Sequence, residues 1–265
     1  MSRGRIGLVS LVAFGYAFLY LPVILLVIFS FNDSKLVTVW GGFSTRWYAE
    51  MFQNESLLQA AWRSLQIASI NATFAVILGT LAAHVMSRYR RFRGRNGLDL
   101  LLTAPLVMPD VIIGLALLLL FVNMEQIIGW PAGRGITTIT LAHITFSLAY
   151  AAIVIRARMG QLDLSLEEAA MDLGARPFTV FVRITLPLLA PALVSAWLLS
   201  FTLSLDDLVI ASFVSGPGST TLPMWIYSSV RMGVSPQVNA LATLMLALVT
   251  LGVLVAGVLM HKKNA

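Results

Sequence analysis

Hydrophobic residues run in long blocks, and the charges between them mark off the elements of the chain. Ile6–Asn32 carries no charge. Ser64–Ser87 is charge-free between Arg63 and Arg88, and Gly135–Ile155 between Arg134 and Arg156. Ile184–Leu205 and Met232–Met260 are two further blocks, and a block over roughly Leu98–Phe121 is interrupted by Asp110. A membrane-spanning helix needs about 20 apolar residues, whereas a barrel strand needs about 10 with strict alternation. In lipid the backbone has to bond to itself, so blocks of this length are helices. The pattern predicts an all-α membrane protein with six transmembrane helices, over about 8–30, 64–86, 98–121, 136–156, 188–211 and 238–260, in one transmembrane domain covering 1–265.

Composition agrees. The 265 residues are 58% hydrophobic and 11% charged, against about 25% charged in a soluble domain. Mean hydropathy is +0.86. Soluble globular, disordered and collagen-like chains are excluded. Six spans with short loops use the whole length and leave no room for a large soluble domain. With no cysteine, disulfide frameworks, Cys–Zn sites and thiol catalysis are excluded as well. Arg3 and Arg5 precede the first block, and no A-x-A-like cleavage site follows at a suitable distance. The first span therefore reads as an uncleaved signal anchor.

The net charge of +6 suggests a polyanion partner until the basic residues are placed. With a cytoplasmic N-terminus, 13 Lys and Arg fall on inside segments and five (Lys35, Arg46, Arg63, Arg134, Arg231) on outside loops. This asymmetry puts both termini inside. The run SRYRRFRGR at 87–95 becomes a cytoplasmic turn that sets topology and meets anionic membrane lipid, with no nucleic acid involved. The outside loop Phe31–Trp62 holds Trp40, Trp47, Tyr48 and Trp62, which suit interfacial anchoring, or docking of a partner. Within it, Thr45–Leu65 reads as a partly amphipathic helix. Ala75, Gly79 and Ala83 repeat every four residues in the second span, a spacing that lets helices approach closely.

The long inside connection, about 157–187, carries the strongest signal. Ser165 followed by Glu168 fits a capping box. Gly174 suits a left-handed helix end and Pro177 the first turn of a second helix. That second helix is expected to end or kink near Pro187. The spacing E-A-A, three residues, G, nine residues, I-x-L-P falls on Glu168, Ala169, Ala170, Gly174, Ile184, Leu186 and Pro187. The string EAAMDLGARPFTVFVRITLP resembles the EAA loop of ABC-importer permease subunits of type I. The resemblance extends over the chain and implies the MetI-like permease fold. It also implies that the loop is a coupling helix seated in a groove of an ATPase subunit, with Glu168 pairing a basic residue or capping its own helix.

The chain has no nucleotide site of its own. A P-loop needs Gly-Lys followed by Ser or Thr, and none of Lys35, Lys262 and Lys263 follows a glycine. His84, His143 and His261 stand alone in the sequence, with no H-E-x-x-H, so no metal site and no catalytic residues are assigned. The chain is expected not to be an enzyme. It needs no cofactor of its own, because ATP and Mg would sit on the partner ATPase.

Asp110, Asp206 and Asp207 lie in or at the edge of spans. A carboxylate near the bilayer centre costs roughly 2.5–3.5 kcal/mol on insertion scales, so it faces a bundle interior or water. Asp110 is about 12 residues into the third span, near the midplane at about 1.5 Å per residue. Pro109 and Pro105 free carbonyls beside it, which makes a cation site; the alternative is that Asp110 caps a broken helix. Asp206 and Asp207 are adjacent on the fifth span, about 100° apart, so at most one faces a pathway squarely while the other bonds backbone or faces water. Acidic residues favour a cationic substrate.

The stretches FNDSKLVTVWGGFSTRWY, APLVMPDVIIG and SLDDLVIASFVSGPGSTTLPMWIYSSVRMGVSPQVNALAT resemble permeases of putrescine and spermidine importers, and within that family the second permease of putrescine systems. The resemblance implies a second homologous permease, a dimer of ATPase subunits and a periplasmic polyamine-binding protein in the cell inner membrane. Trp225 and Tyr227 then suit stacking on an ammonium or aliphatic chain, or interfacial anchoring. Two alternatives remain: a type I permease for another solute such as an amino acid, thiamine or iron, and an ion-coupled secondary transporter.

Overall fold

The computed structural model describes residues 3–36, 39–89, 91–233 and 235–264, with side chains between 7 and 251. Among these residues the chain is helical, and its only β pairing is an isolated bridge between Asn32 and Phe43. The helices are α1 (Arg3–Phe29), α2 (Arg46–Gln53), α3 (Glu55–Arg88), α4 (Arg95–Val107), α5 (Asp110–Ile128), α6 (Ile136–Met159), α7 (Ser165–Asp172), α8 (Pro177–Val180), α9 (Leu186–Asp206), α10 (Val209–Val214), α11 (Leu222–Met232) and α12 (Pro236–Asn264). A π-helical turn, Phe181–Thr185, joins α8 to α9. Among the described residues, five stretches are long and apolar enough to cross a membrane: Gly7–Phe29, Glu55–Arg88, Asp110–Ile128, Ile136–Met159 and Pro177–Asp206. The apolar stretch of α12, over its described side chains, is Pro236–Leu251.

Two expected spans are broken. The third, about 98–121, is not one helix but α4 and α5. Pro105 is tolerated inside α4, but Met108, the residue before Pro109, is extended with ψ 138°. A proline disfavours the helical region for its predecessor and supplies no N–H, so the helix stops and restarts. The fifth, about 188–211, ends at Asp206; Asp207 is extended (ψ 124°), and α10 restarts at Val209. Pro187, by contrast, does not end the helix, which runs on from Pro177 to Asp206. The π turn before it carries the ladder, with Leu186 N–H donating to the carbonyl of Phe181. The expected amphipathic helix Thr45–Leu65 is likewise two pieces. Asn54 closes α2, and its Oδ1 then accepts Leu57 N–H at 3.2 Å to cap α3.

By its contacts the chain divides into two compact units, one made of residues up to Leu58 and from Ile226, the other of Gln59–Trp225. In the first, α12 packs against α1 and α2, and Asn54 Nδ2 donates to Gln237 Oε1 at 3.0 Å. Asn32, 1% exposed, organises the loop after α1. Its Oδ1 accepts Gly41 N–H at 2.7 Å, its Nδ2 donates to the Val39 carbonyl at 2.7 Å, and its own carbonyl accepts Trp47 Nε1–H at 2.6 Å. Trp47 is thus a buried strut of this loop rather than an interfacial anchor, and Tyr48 hydroxyl bonds Ser30 Oγ at 2.7 Å.

In the second unit α6 is the central helix, with 61% of its apolar window buried. The small residues of α3 let it press onto α6. Ala75 and Ala83 are buried with Ala151, Ile155 and Met159, and a Cβ on Gly79 would stand 3.0 Å from the Cβ of Ala151. A second cluster joins α5, α6 and α10 through Ile113, Leu117, Phe121, Ile139, Phe146 and Ile210.

Candidate functional site

The connection from α6 to α9 carries the motif. Its first helix, α7, is capped differently from the expectation. Ser165 is the first helical residue and its hydroxyl caps nothing; Asp163 Oδ1 accepts Ser165 N–H at 3.0 Å instead. That bond, followed by a weaker one from the Ser165 hydroxyl, holds the Asp163 carboxyl below the usual carboxylate range. The far end closes as expected. Gly174 has φ +86°, Gly174 N–H donates to the Met171 carbonyl at 2.9 Å, and Ala175 N–H donates to the Ala170 carbonyl at 3.0 Å. This paired closure with a left-handed glycine is the Schellman arrangement. Pro177 stands in the first turn of α8.

No residue of α7 is buried. Glu168 and Ala169 point outward, and Ala170 is half-buried. Leu166, Met171, Leu173 and Phe178 are exposed, Leu173 to 90%. Ile184 and Leu186 are half-buried, and Pro187 is exposed. The loop thus presents a short helix with exposed apolar side chains and two outward carboxylates, Glu168 and Asp172.

Glu167, which the sequence did not single out, does the opposite. Its Oε1 accepts Arg88 Nη2–H at 2.6 Å and the Thr185 hydroxyl at 2.9 Å. The Arg88 and Glu167 side chains are only 12% and 14% exposed. Successive helical residues point about 100° apart. That rule, applied to the Glu-Glu pair, was the available signal that one carboxylate turns inward.

The three span carboxylates sit at helix ends, not at mid-helix. Asp110 is the first residue of α5, exposed, next to the Pro109 break. Asp206, exposed, is the last residue of α9. Asp207 turns inward: Oδ1 accepts Ile210 N–H at 3.2 Å and Oδ2 accepts Ala211 N–H at 2.8 Å, which caps α10. Helices α5 and α10 meet closely at Gly114, where a Cβ would stand 2.8 Å from the Phe213 ring. Trp225 is half-buried and Tyr227 exposed on α11. Two positions apart on a helix, they project to opposite sides, so they do not form one aromatic wall.

His143 is the other residue the sequence left aside. It is 2% exposed, with Nε2 3.1 Å from Asp207 Oδ2 and Nδ1 2.7 Å from Ser204 Oγ. A turn further along, Asn71 Nδ2 donates to Ser147 Oγ at 3.1 Å and to the Ser200 carbonyl at 2.9 Å. An ionisable side chain inside an otherwise uncharged span is a site hypothesis in itself, and His143 met that description. Among the described residues no group of three or more His, Cys, Asp or Glu is arranged to hold a metal.

Comparison with known proteins follows the same lines. Residues 75–262 match the family of binding-protein-dependent transport system inner membrane components. The chain is 61% identical over 248 residues to the putrescine transport system permease protein PotI of Escherichia coli K12, covering 94% of this chain and 88% of that one. It is 45% identical over 249 residues to the spermidine/putrescine transport system permease protein PotC of Haemophilus influenzae, covering 94% of each. A bacterial ABC transporter involved in import of the acidic polysaccharide alginate has a chain of the same fold, with a TM-score of 0.74 at 18% identity, over 98% of this chain and 94% of that one. A subunit of the MetNI methionine ABC transporter aligns with a TM-score of 0.62 at 15% identity, over 79% of this chain and 96% of that one.

Proposed function

The chain belongs to the family of binding-protein-dependent transport system inner membrane components, the permease subunits of ABC importers whose ATP is hydrolysed by a separate subunit, and we propose that its cargo is a polyamine, putrescine or spermidine. The observation that carries a transport role is α7, a helix with nothing buried and exposed Leu166, Met171 and Glu168. Such a helix leaves apolar surface that a covering partner would bury. An ATPase subunit is that partner. The importer then comprises this chain, a second homologous permease, two ATPase copies carrying ATP and Mg, and a periplasmic polyamine-binding protein. Both termini lie in the cytoplasm, in keeping with the 13-to-5 split of basic residues.

The cargo reading is supported by the named relatives and by the carboxylates. A polyamine carries spaced ammonium groups, and a path for it needs acceptors at intervals rather than one deep charge. Asp110 and Asp206, exposed at two helix breaks, suit that task, with the aromatic residues Trp225 and Tyr227 of α11 offering stacking surfaces. A loaded binding protein docks outside, ATP closes the ATPase pair, and the motion enters through the loop Glu168–Pro187 and swings the spans between two access states. Uptake of radiolabelled putrescine, spermidine and amino acids into proteoliposomes holding the co-purified complex tests the whole reading. ATP-dependent diamine uptake is expected. Amino-acid uptake alone would overturn the cargo, and uptake that follows an ion gradient without ATP would overturn the class.

A further inference from the structure

We propose that Arg88, Glu167 and Thr185 form a strut that carries the displacement of α7 into α3 and α9, so that Glu167 is a positioning residue for energy coupling while its neighbour Glu168 meets the ATPase. The proposal rests on the coupling role given above to the α6–α9 connection.

Three elements converge on one oxygen. Arg88 is the last residue of α3, a continuous helix of 34 residues. Thr185 ends the π turn from which α9 starts, and it is 1% exposed. Glu167 stands in the first turn of α7, and its Oε1 accepts from both, at 2.6 and 2.9 Å. Charge-assisted bonds of this length are about twice as strong as neutral ones and hold a fixed direction. Because the pair is largely out of water, either charge left alone is heavily penalised.

Nothing else among the described contacts fixes α7 so firmly. Its own residues are unburied. Along the chain it hangs between the short turn after α6 and the left-handed Gly174. Arg88, Glu167 and Thr185 themselves line a cavity of about 300 Å³, together with His84, Tyr89, Met171 and Phe181. With open space beside the strut, α7 is not wedged into place by packing there. A push on its outer face is therefore delivered through Glu167, to the end of one long helix and the start of another.

The test uses the reconstituted complex with its ATPase and binding protein, and reads amine uptake per ATP hydrolysed. Glu167→Gln and Arg88→Gln are each expected to lower that ratio about tenfold, as the loss of one partner of a shielded pair requires. The charge-swapped double variant, Glu167→Arg with Arg88→Glu, should recover at least half of it. Thr185→Val, which removes only a hydroxyl, guards against failure of the charged variants to assemble and should lower the ratio about threefold. A wild-type ratio in the single variants, or a double variant no better than the worse single, overturns the strut. If wild-type uptake itself is independent of ATP, the coupling reading fails first, and the two failures are told apart by that control.

Discussion

His143 of α6 and Asp207, in the break between α9 and α10, share a hydrogen bond of 3.1 Å in the interior of the second unit. The carboxylate of Asp207 also accepts two backbone N–H groups at the start of α10. Three donors on one carboxylate leave little room for an ammonium ion. Of the two adjacent aspartates, Asp207 fastens the break between α9 and α10 to α6, and Asp206 is left facing outward. Asp207→Ala should lower stability by about 2–4 kcal/mol, combining a lost cap and an orphaned buried partner. A thermal melt of the purified chain in detergent measures it.

Asp206→Asn should behave oppositely. Its side chain is exposed, so stability should change by less than about 0.5 kcal/mol. Putrescine uptake should fall about tenfold, as expected for one lost ion-assisted contact. Asp110→Asn should show the same pattern. Unchanged uptake kinetics in both variants would remove the carboxylate path.

Gly174 tests the loop by backbone alone. A Cβ there meets nothing within 4 Å, so a substitution is opposed by its positive φ and not by a clash. Gly174→Val should cost about 1–2 kcal/mol locally and abolish uptake while leaving the protein inserted. Gly174→Asn tolerates the left-handed region and should retain most of the activity. Equal uptake in wild type and Gly174→Val would exclude the turn from coupling.

Gly79 tests the α3–α6 contact. Its Cβ position lies 3.0 Å from both the Ala151 side chain and the Ala152 backbone nitrogen. Gly79→Leu should push the helices apart at a cost of about 1–3 kcal/mol or more, seen as a lowered melting temperature. An unchanged melt would show that the interface yields freely.

Asp163 links the loop to pH. Its carboxyl is held low by the Ser165 N–H, so its contribution to α7 is present above the unfolded-state value and is lost as pH falls through the folded-state value. Protection of the Ser165–Glu168 amides, read as exchange relative to the intrinsic rate at each pH, should hold at neutral pH and fall as acid protonates Asp163. In Asp163→Ala that protection should be low at every pH.

Much of this protein is legible from one dimension. The charge-free blocks located the spanning helices because lipid enforces one simple rule on every residue between two charges. The motif spacing located α7, its glycine end and Pro177, all of which are local geometry. The breaks were harder to place. Pro109 was visible, yet the same residue type at 105 and 187 leaves its helix continuous. The outcome depends on what carries the ladder past each proline. His143 and Glu167 were missed because their partners lie 64 and 79 residues away. No window of sequence contains both ends of such a bond.

The π turn gives the motif's longest gap a geometric meaning. Buried positions along this stretch are Val180, Thr185, Leu189, Ala192, Ala196, Ser200 and Ser204. The first step is five residues and the rest are three or four. A π turn holds one residue more than an α turn, so the inward face is kept in phase across Pro187 only because that residue is present. The nine residues between Gly174 and Ile184 thus act as an angular gauge. Removing one within Phe181–Arg183 would leave every motif residue in the chain but rotate α7 and α8 by about 100° around the axis of α9.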